Sequence, residues 1–477
     1  MARLKENLRK KFRVSKATQV GFAVVALLIV AGLGFYLFPI LGGGGATSGS
    51  TTSCSTNAQS DSSADWTTYH KDNSRSGYAG PITITCVSPS WRSATLDGLV
   101  YAEPLAFGGM VFVATENDTV YALNADSGEV VWRTHLGDPV PRSALPCGNI
   151  NPTGITGTPV IDPASKTIYA VAFEMPGNHF LVALSTEDGS FRFSRTADPV
   201  GADPRVEQQR GALSLGNGRI YIPYGGLFGD CGEYHGWVVG ISADGSGDLI
   251  SYQVPTGRAG GIWAPSGAAM DASGDLFVAT GNGAPPETFN YGDSVIELSS
   301  GLQQLDFFAP SNWMQLDQAD TDLGSAGPAL LGGGTLFQIG KEGVGYLLNT
   351  TDLGGIGGQA YSAKVCSSAY GGTAFAGGLV FVPCTDGLVA LRVSGNSFEV
   401  AWAGPDFQAG PTIVTGNLVW TMDVSSGTLH GFDADSGHQM FSFSVGSVTR
   451  FTTPSSGYGK LFVAAGTQVV SFQLGRA

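Results

Sequence analysis

Seven side chains between Glu233 and Lys341 have the types and spacing to do chemistry. Trp263 offers an indole face on which a planar ring stacks well in an offset arrangement. Glu233, Asn282 and one of Asp317, Asp320 and Asp322 offer the carboxylate and amide oxygens that a hard Ca²⁺ ion gathers. An Asp of the same group can take the proton of an alcohol, and Lys341 can stabilise negative charge on a reduced oxygen. Spacing does not choose among the three acids. Each residue also has a plain structural reading: Trp263 as a packed strand aromatic, Asn282 between two glycines as a turn former, the charged groups as solvated loop residues. Other chemistries lack their residues. There is no P-loop, no G-x-G-x-x-G feeding a helix, no C-x-x-C, no C-x-x-C-H and no paired-histidine ligand spacing. Zinc and haem are therefore not expected.

These groups have to be held by elements, and the elements repeat. A unit recurs through residues 86–477: a Gly-rich turn, a short β-branched strand, a polar turn, a strand ending Ala-Leu, then Asp/Ser-Gly and an aromatic strand. Val120-Tyr-Ala-Leu-Asn-Ala-Asp-Ser-Gly-Glu-Val-Val-Trp132 is the clearest copy. Leu181–Phe191 and Leu429–Gly437 follow it closely, and fainter copies begin near Val238, Val295, Gly345 and Leu388. The last copy, around Val469–Phe472, lacks its aromatic strand, and Ser88–Thr95 has the pattern to supply it from the other end. Closing a ring in that way removes exposed sheet edges. Seven full copies and the composite predict an all-β, eight-bladed β-propeller with about 49 residues per blade, seven blades being the alternative. The strand-end aromatics are predicted to pack between blades. No helical periodicity is evident after residue 45.

The unit Ala-Leu-Asn-Ala-Asp-Ser-Gly-Glu-Val-Val-Trp resembles the tryptophan-docking repeat of the PQQ-like propellers, a family that includes quinoprotein alcohol dehydrogenases and the assembly lipoprotein BamB. The opening segment Asp65–Gly77 is similar to the start of such proteins. Gly260-Gly-Ile-Trp263, Thr280-Gly-Asn282-Gly-Ala-Pro285 and Gly292-Asp293 resemble the dehydrogenases' cofactor segment. The resemblance implies that Trp263 stacks on the quinone PQQ, that Asn282 and Glu233 ligate Ca²⁺, that Lys341 reaches the quinone oxygens, and that the catalytic base is Asp317, Asp320 or Asp322. The chain departs from that pattern at several points. The family's vicinal Cys pair is absent, Ile262 replaces a Thr, and Glu233 is offset by one position with His235 where an Arg is expected.

The N-terminus predicts a location. Residues 1–19 carry seven Lys or Arg against Glu6 alone, and Val20–Leu41 is an uncharged apolar run of bilayer length. The positive-inside rule puts this tail in the cytoplasm and everything beyond the anchor outside. Residues 42–64, rich in Gly, Ser and Thr, read as a tether, and 65–477 as the propeller. The net charge of −14 argues against a nucleic-acid partner. Six cysteines suit disulfides outside the cytoplasm, with Cys366–Cys384, Cys147–Cys231 and Cys54–Cys86 the expected pairs. Cys366 and Cys384 are expected opposite each other across two antiparallel strands. The leading expectation is a membrane-anchored, extracytoplasmic binding or scaffold module for a protein or ligand, with a protein partner at the propeller face. A PQQ- and Ca²⁺-dependent dehydrogenase acting on an alcohol or sugar is the second, and a polymer-binding module the third.

Overall fold

A computed structural model describes Cys54, residues 65–285 and residues 287–476. Eight antiparallel sheets of four core strands follow one another along the chain. The first runs Leu105–Phe107, Met110–Thr115, Thr119–Asn124, Val130–His135 from inside outward. The eighth takes three strands from Ser455–Gly475 and its outer strand, Cys86–Arg92, from the start of the domain. Cys86 lies opposite Gly475 and Ser88 opposite Gln473, so the ring is fastened as the repeat pattern requires.

The repeat motif explains how blades dock. The indole N–H of Trp91 donates to the Ala125 carbonyl of blade 1, that of Trp132 to Thr186 of blade 2, and that of Trp402 to Ala434 of blade 7. Each ring lies flat on the turn glycine of the next blade. A Cβ on Gly128 would come within 2.4 Å of Trp91, and one on Gly437 within 2.5 Å of Trp402. Both glycines also have positive φ. The Asp-Ser-Gly turn therefore needs glycine twice over, for its backbone and for the neighbour's indole.

Residues 65–78 form a plug rather than a strand. The segment exchanges main-chain hydrogen bonds in turn with Ala106, Ile161, Met270, Leu330, Phe375 and Val414, which belong to the inner strands of blades 1, 2, 4, 5, 6 and 7. Thr68 and Arg75 reach blade 3 through Leu213 and Ser214. The Arg75 guanidinium, 1% exposed, makes five hydrogen bonds at the centre of the ring.

All three expected disulfides are formed. Cys366 sits in a loop, however, and it is Ala369 that bridges Cys384, so the two cysteines are not strand partners. Among the described residues one α-helix, Trp313–Ala319, interrupts the all-β pattern. Its two turns are too short to leave a readable period. Most of the expected tether, the membrane segment 20–41 and the basic tail lie outside the described residues. Among the described residues no helix is long and apolar enough to cross a membrane.

Candidate functional site

The loops that lead into the inner strands of blades 3, 4, 5, 6 and 8 converge on a cavity of about 340 Å³. Trp263, Asn282, Asp320, Asp322 and Lys341 all line it. Five of the seven residues that residue type and the family resemblance single out are thus brought together. Glu233 is exposed and is not among the residues that line the cavity. Asp317 is buried behind the wall, where its Oδ1 accepts from the Gly283 amide at 2.7 Å.

Asp322 is the centre of the polar wall. It is 4% exposed. Its Oδ1 accepts from the Asn282 amide at 2.9 Å, and its Oδ2 lies 2.8 Å from Lys341 Nζ. Burial raises its pKa, against the pull of Lys341. Burial alone would weaken the Lys341 ammonium, but Asp322 and the exposed Asp320, 3.0 Å away, outweigh it and raise its pKa. The same ammonium stands 5.8 Å from the Trp263 ring centre. Gly281 makes this arrangement fit, because a Cβ there would lie 3.0 Å from Asp322 Oδ1 and 3.1 Å from the indole nitrogen.

Behind that wall Asp293 is fully buried. Burial first, then Asp322 and Asp317, hold its carboxyl well above the ordinary range. Its Oδ1 accepts from the Leu323 amide, while its Oδ2 and that of Asp317 find no donor. A proton held between the two acids satisfies both. Among the residues with left-handed backbone, Asp230 and Asp320 line the cavity.

The sequence did not reveal Arg210, Tyr370, Arg450 or Phe451, which also line the cavity. They come from connecting loops, outside any repeated motif. The only advance hint was Gly292-Asp293, whose acid proves to be the buried partner of Asp317.

The residues fit a planar anionic group better than a Ca²⁺ ion. Aromatic faces and cations are present in quantity. A divalent cation would find Asn282 together with Asp230, Asp320 and Asp322, but Tyr234 donates to Asp230 and Lys341 engages the other two acids. Six to eight oxygens are not assembled. Among the described residues the one group of three close ligand atoms is Cys366, Cys384 and Asp386, and its sulfurs are spent in a disulfide.

Buried acids also set a pH dependence. Glu207, next to the cavity wall strand, accepts from the His235 amide and the Trp237 indole, and burial pushes its carboxyl up to about 8. Burial likewise pushes Glu116 up to about 7. The unfolded chain releases these protons in the ordinary carboxyl range. Between there and pH 7–8 the native state holds more protons, so stability falls as pH rises through that window. The urea midpoint is expected to be higher at about pH 5.5 than at about pH 8.5, and Glu207→Gln to flatten the slope. A wild-type midpoint that climbs over this range contradicts the assignment.

Residues 83–284 match the family model described as outer membrane protein assembly factor BamB. No curated protein matches the chain. Among solved structures, the quinohemoprotein alcohol dehydrogenase ADHIIG from Pseudomonas putida HK5 is 15% identical with a TM-score of 0.67, over 87% of this chain and 81% of that one. A europium-containing methanol dehydrogenase is 14% identical with a TM-score of 0.67, over 86% and 98%. BamB from Moraxella catarrhalis is 14% identical with a TM-score of 0.56, over 82% and 99%. At these identities the likeness speaks for the fold, which dehydrogenases and an assembly factor share.

Proposed function

Because this chain is a PQQ-like β-propeller, we propose that it is a binding propeller whose central cavity takes a planar, negatively charged small molecule, with PQQ the first ligand to test. One observation carries this reading: Trp263, Asn282, Asp322 and Lys341, distant in sequence, line a single cavity together with further aromatic and cationic groups. Its volume lies in the usual range for small-molecule sites. Trp263 provides a stacking face and Lys341 a cation for ring oxygens. In the same reading the body stands outside the cell membrane on its N-terminal apolar segment, a location that suits three disulfides.

The test is a calorimetric titration of the full-length chain, in detergent, with PQQ. Saturable binding is expected, and Trp263→Ala is expected to weaken it about tenfold or more with the thermal midpoint little changed. Absence of binding at about 100 μM PQQ, a concentration that would half-saturate a site worth roughly 5.5 kcal/mol, sinks the quinone reading.

A dehydrogenase is the second reading, favoured by the buried Asp322 beside Asn282 on the cavity wall. A bound quinone would supply the hydride acceptor. The chain's own contribution would be Asp322 receiving a proton and passing it on to solvent, with the Lys341 ammonium favouring its ionised state. Dye reduction with PQQ, Ca²⁺ and a panel of alcohols and sugars tests this, and equal rates for the wild type and Asp322→Asn exclude it.

A further inference from the structure

Arg210 and Arg450 approach the cavity from the loops entering blades 3 and 8. Both flank one ring. The Arg210 Cζ is 5.7 Å from the centre of Phe451, and the Arg450 Cζ is 5.5 Å from it and 4.8 Å from Tyr370. Among the described residues no carboxylate is ion-paired with either guanidinium. Arg210 donates once, to Gln208 Oε1 at 3.1 Å, and Arg450 donates no side-chain hydrogen bond. Burial lowers the pKa of Arg210; Glu116 and Tyr101 oppose this, and the like charge of Arg450 adds to it.

Two like charges converging on one aromatic ring repel each other, and the pull of Glu116 and Tyr101 on Arg210 offsets this without an ion pair. The third cation of the cavity, Lys341, is already neutralised by Asp320 and Asp322. Positive charge without an ion-paired carboxylate therefore lies on the Arg210–Arg450 side of the cavity. Next to it stands an aromatic wall, with the Trp263 ring 6.5 Å from Tyr370 and 6.4 Å from Phe451. We propose that Arg210 and Arg450 form an anion clamp that binds the carboxylates of a planar aromatic acid lying against Trp263, Tyr370 and Phe451. This inference rests on the cavity being a small-molecule site, but not on the ligand being PQQ.

The full-length chain in detergent is titrated calorimetrically with 2,6-naphthalenedicarboxylate, its uncharged dimethyl ester and 2-naphthyl phosphate. The dicarboxylate is expected to bind, more weakly as salt is raised. The ester is expected to bind about tenfold or more weakly, and Arg450→Met and Arg210→Met each to weaken the dicarboxylate about tenfold or more. Arg450→Lys is expected to restore part of the loss. Arg450 is exposed, so its variants keep the test open should Arg210→Met fold poorly. No binding of the dicarboxylate, equal binding of the ester, or indifference to Arg450→Met overturns the clamp. A phosphate preference of tenfold or more overturns its assignment to carboxylates. PQQ is titrated into the same variants. PQQ binding that survives both Arg→Met changes but is lost in Trp263→Ala removes the clamp and leaves the quinone reading intact. Dicarboxylate binding without PQQ binding does the reverse.

Discussion

Arg75→Met should lower the unfolding free energy by at least ~4 kcal/mol, read as a shift of the urea or guanidinium midpoint at constant slope. Arg75 Nε donates to the Ala268 carbonyl at 3.0 Å, Nη1 to Thr68 Oγ1 and the Tyr69 carbonyl, and Nη2 to Ser214 Oγ at 2.7 Å and the Leu213 carbonyl. Methionine fills similar volume and donates nothing. Buried acceptors in blades 3 and 4 and in the plug then lose their donors together. Water cannot replace the guanidinium without opening the plug, because Tyr69 and His70 beside it are also buried. Arg75→Lys should recover little, since one ammonium has only three donors and cannot reproduce the planar fork. A loss under about 1 kcal/mol would mean that the plug is not a structural keystone. The consequence reaches the site as well. Tyr69 floors a small void whose other walls include Arg210 and Phe451, so a loosened plug removes the support beneath the cavity. Ligand affinity should fall together with stability in this variant, whereas Trp263→Ala should separate the two.

That plug also shows where sequence reasoning reaches its limit. Asp65–Gly77 resembles the opening of related propellers, yet nothing in its polar, turn-rich composition announces a segment that visits the inner strands around the ring. Its partners run from Ala106 to Val414, and its contacts to six of the blades are backbone hydrogen bonds that leave no mark on side-chain pattern. The blades are different. Asp126-Ser-Gly128 and Trp132 encode a local turn and a nearest-neighbour docking, so they are visible in any window that contains them. Closure by Cys86–Arg92 was legible for the same reason, as a missing strand at one end matched by a spare at the other. The site falls between these cases. Trp263, Asn282 and Lys341 were found by motif, and they do meet. Arg210 and Arg450 belong to loops without a motif and become neighbours only because the ring closes. Three acids within six residues could not be ranked, because a helix ending at Ala319 and a left-handed turn at Asp320 decide which of them face the cavity. Glu233, expected beside Asn282, lies on an exposed loop instead.

The choice of Asp322 leads to the other large effect. Lys341→Met should destabilise the domain by roughly 3 kcal/mol near neutral pH, because it leaves a buried carboxylate without its cation. The Asp322 side chain is 6% exposed and that of Lys341 20%, so solvent screens the pair poorly. The Asn282 amide remains as a donor to Asp322, but a single neutral N–H does not replace an ammonium at 2.8 Å. Burial already raises the Asp322 pKa, and removing Lys341 should raise it further. The carboxylate of the unfolded variant ionises in the ordinary range, so its folded form holds the extra proton between that range and the new, higher pKa. The deficit of Lys341→Met is therefore present in full above the folded pKa and shrinks as pH falls through it. Asp322→Asn combined with Lys341→Met should recover most of the loss at every pH, since an amide still accepts from Asn282 and carries no charge. Urea unfolding of the wild type, both single variants and the double variant at about pH 5 and 8 measures the coupling directly. Additive losses would show that the two groups do not see each other across the cavity wall. Strong coupling that fades toward acid pH would establish Asp322 as an acid held ionised by Lys341, the condition under which it can accept a proton from a bound molecule.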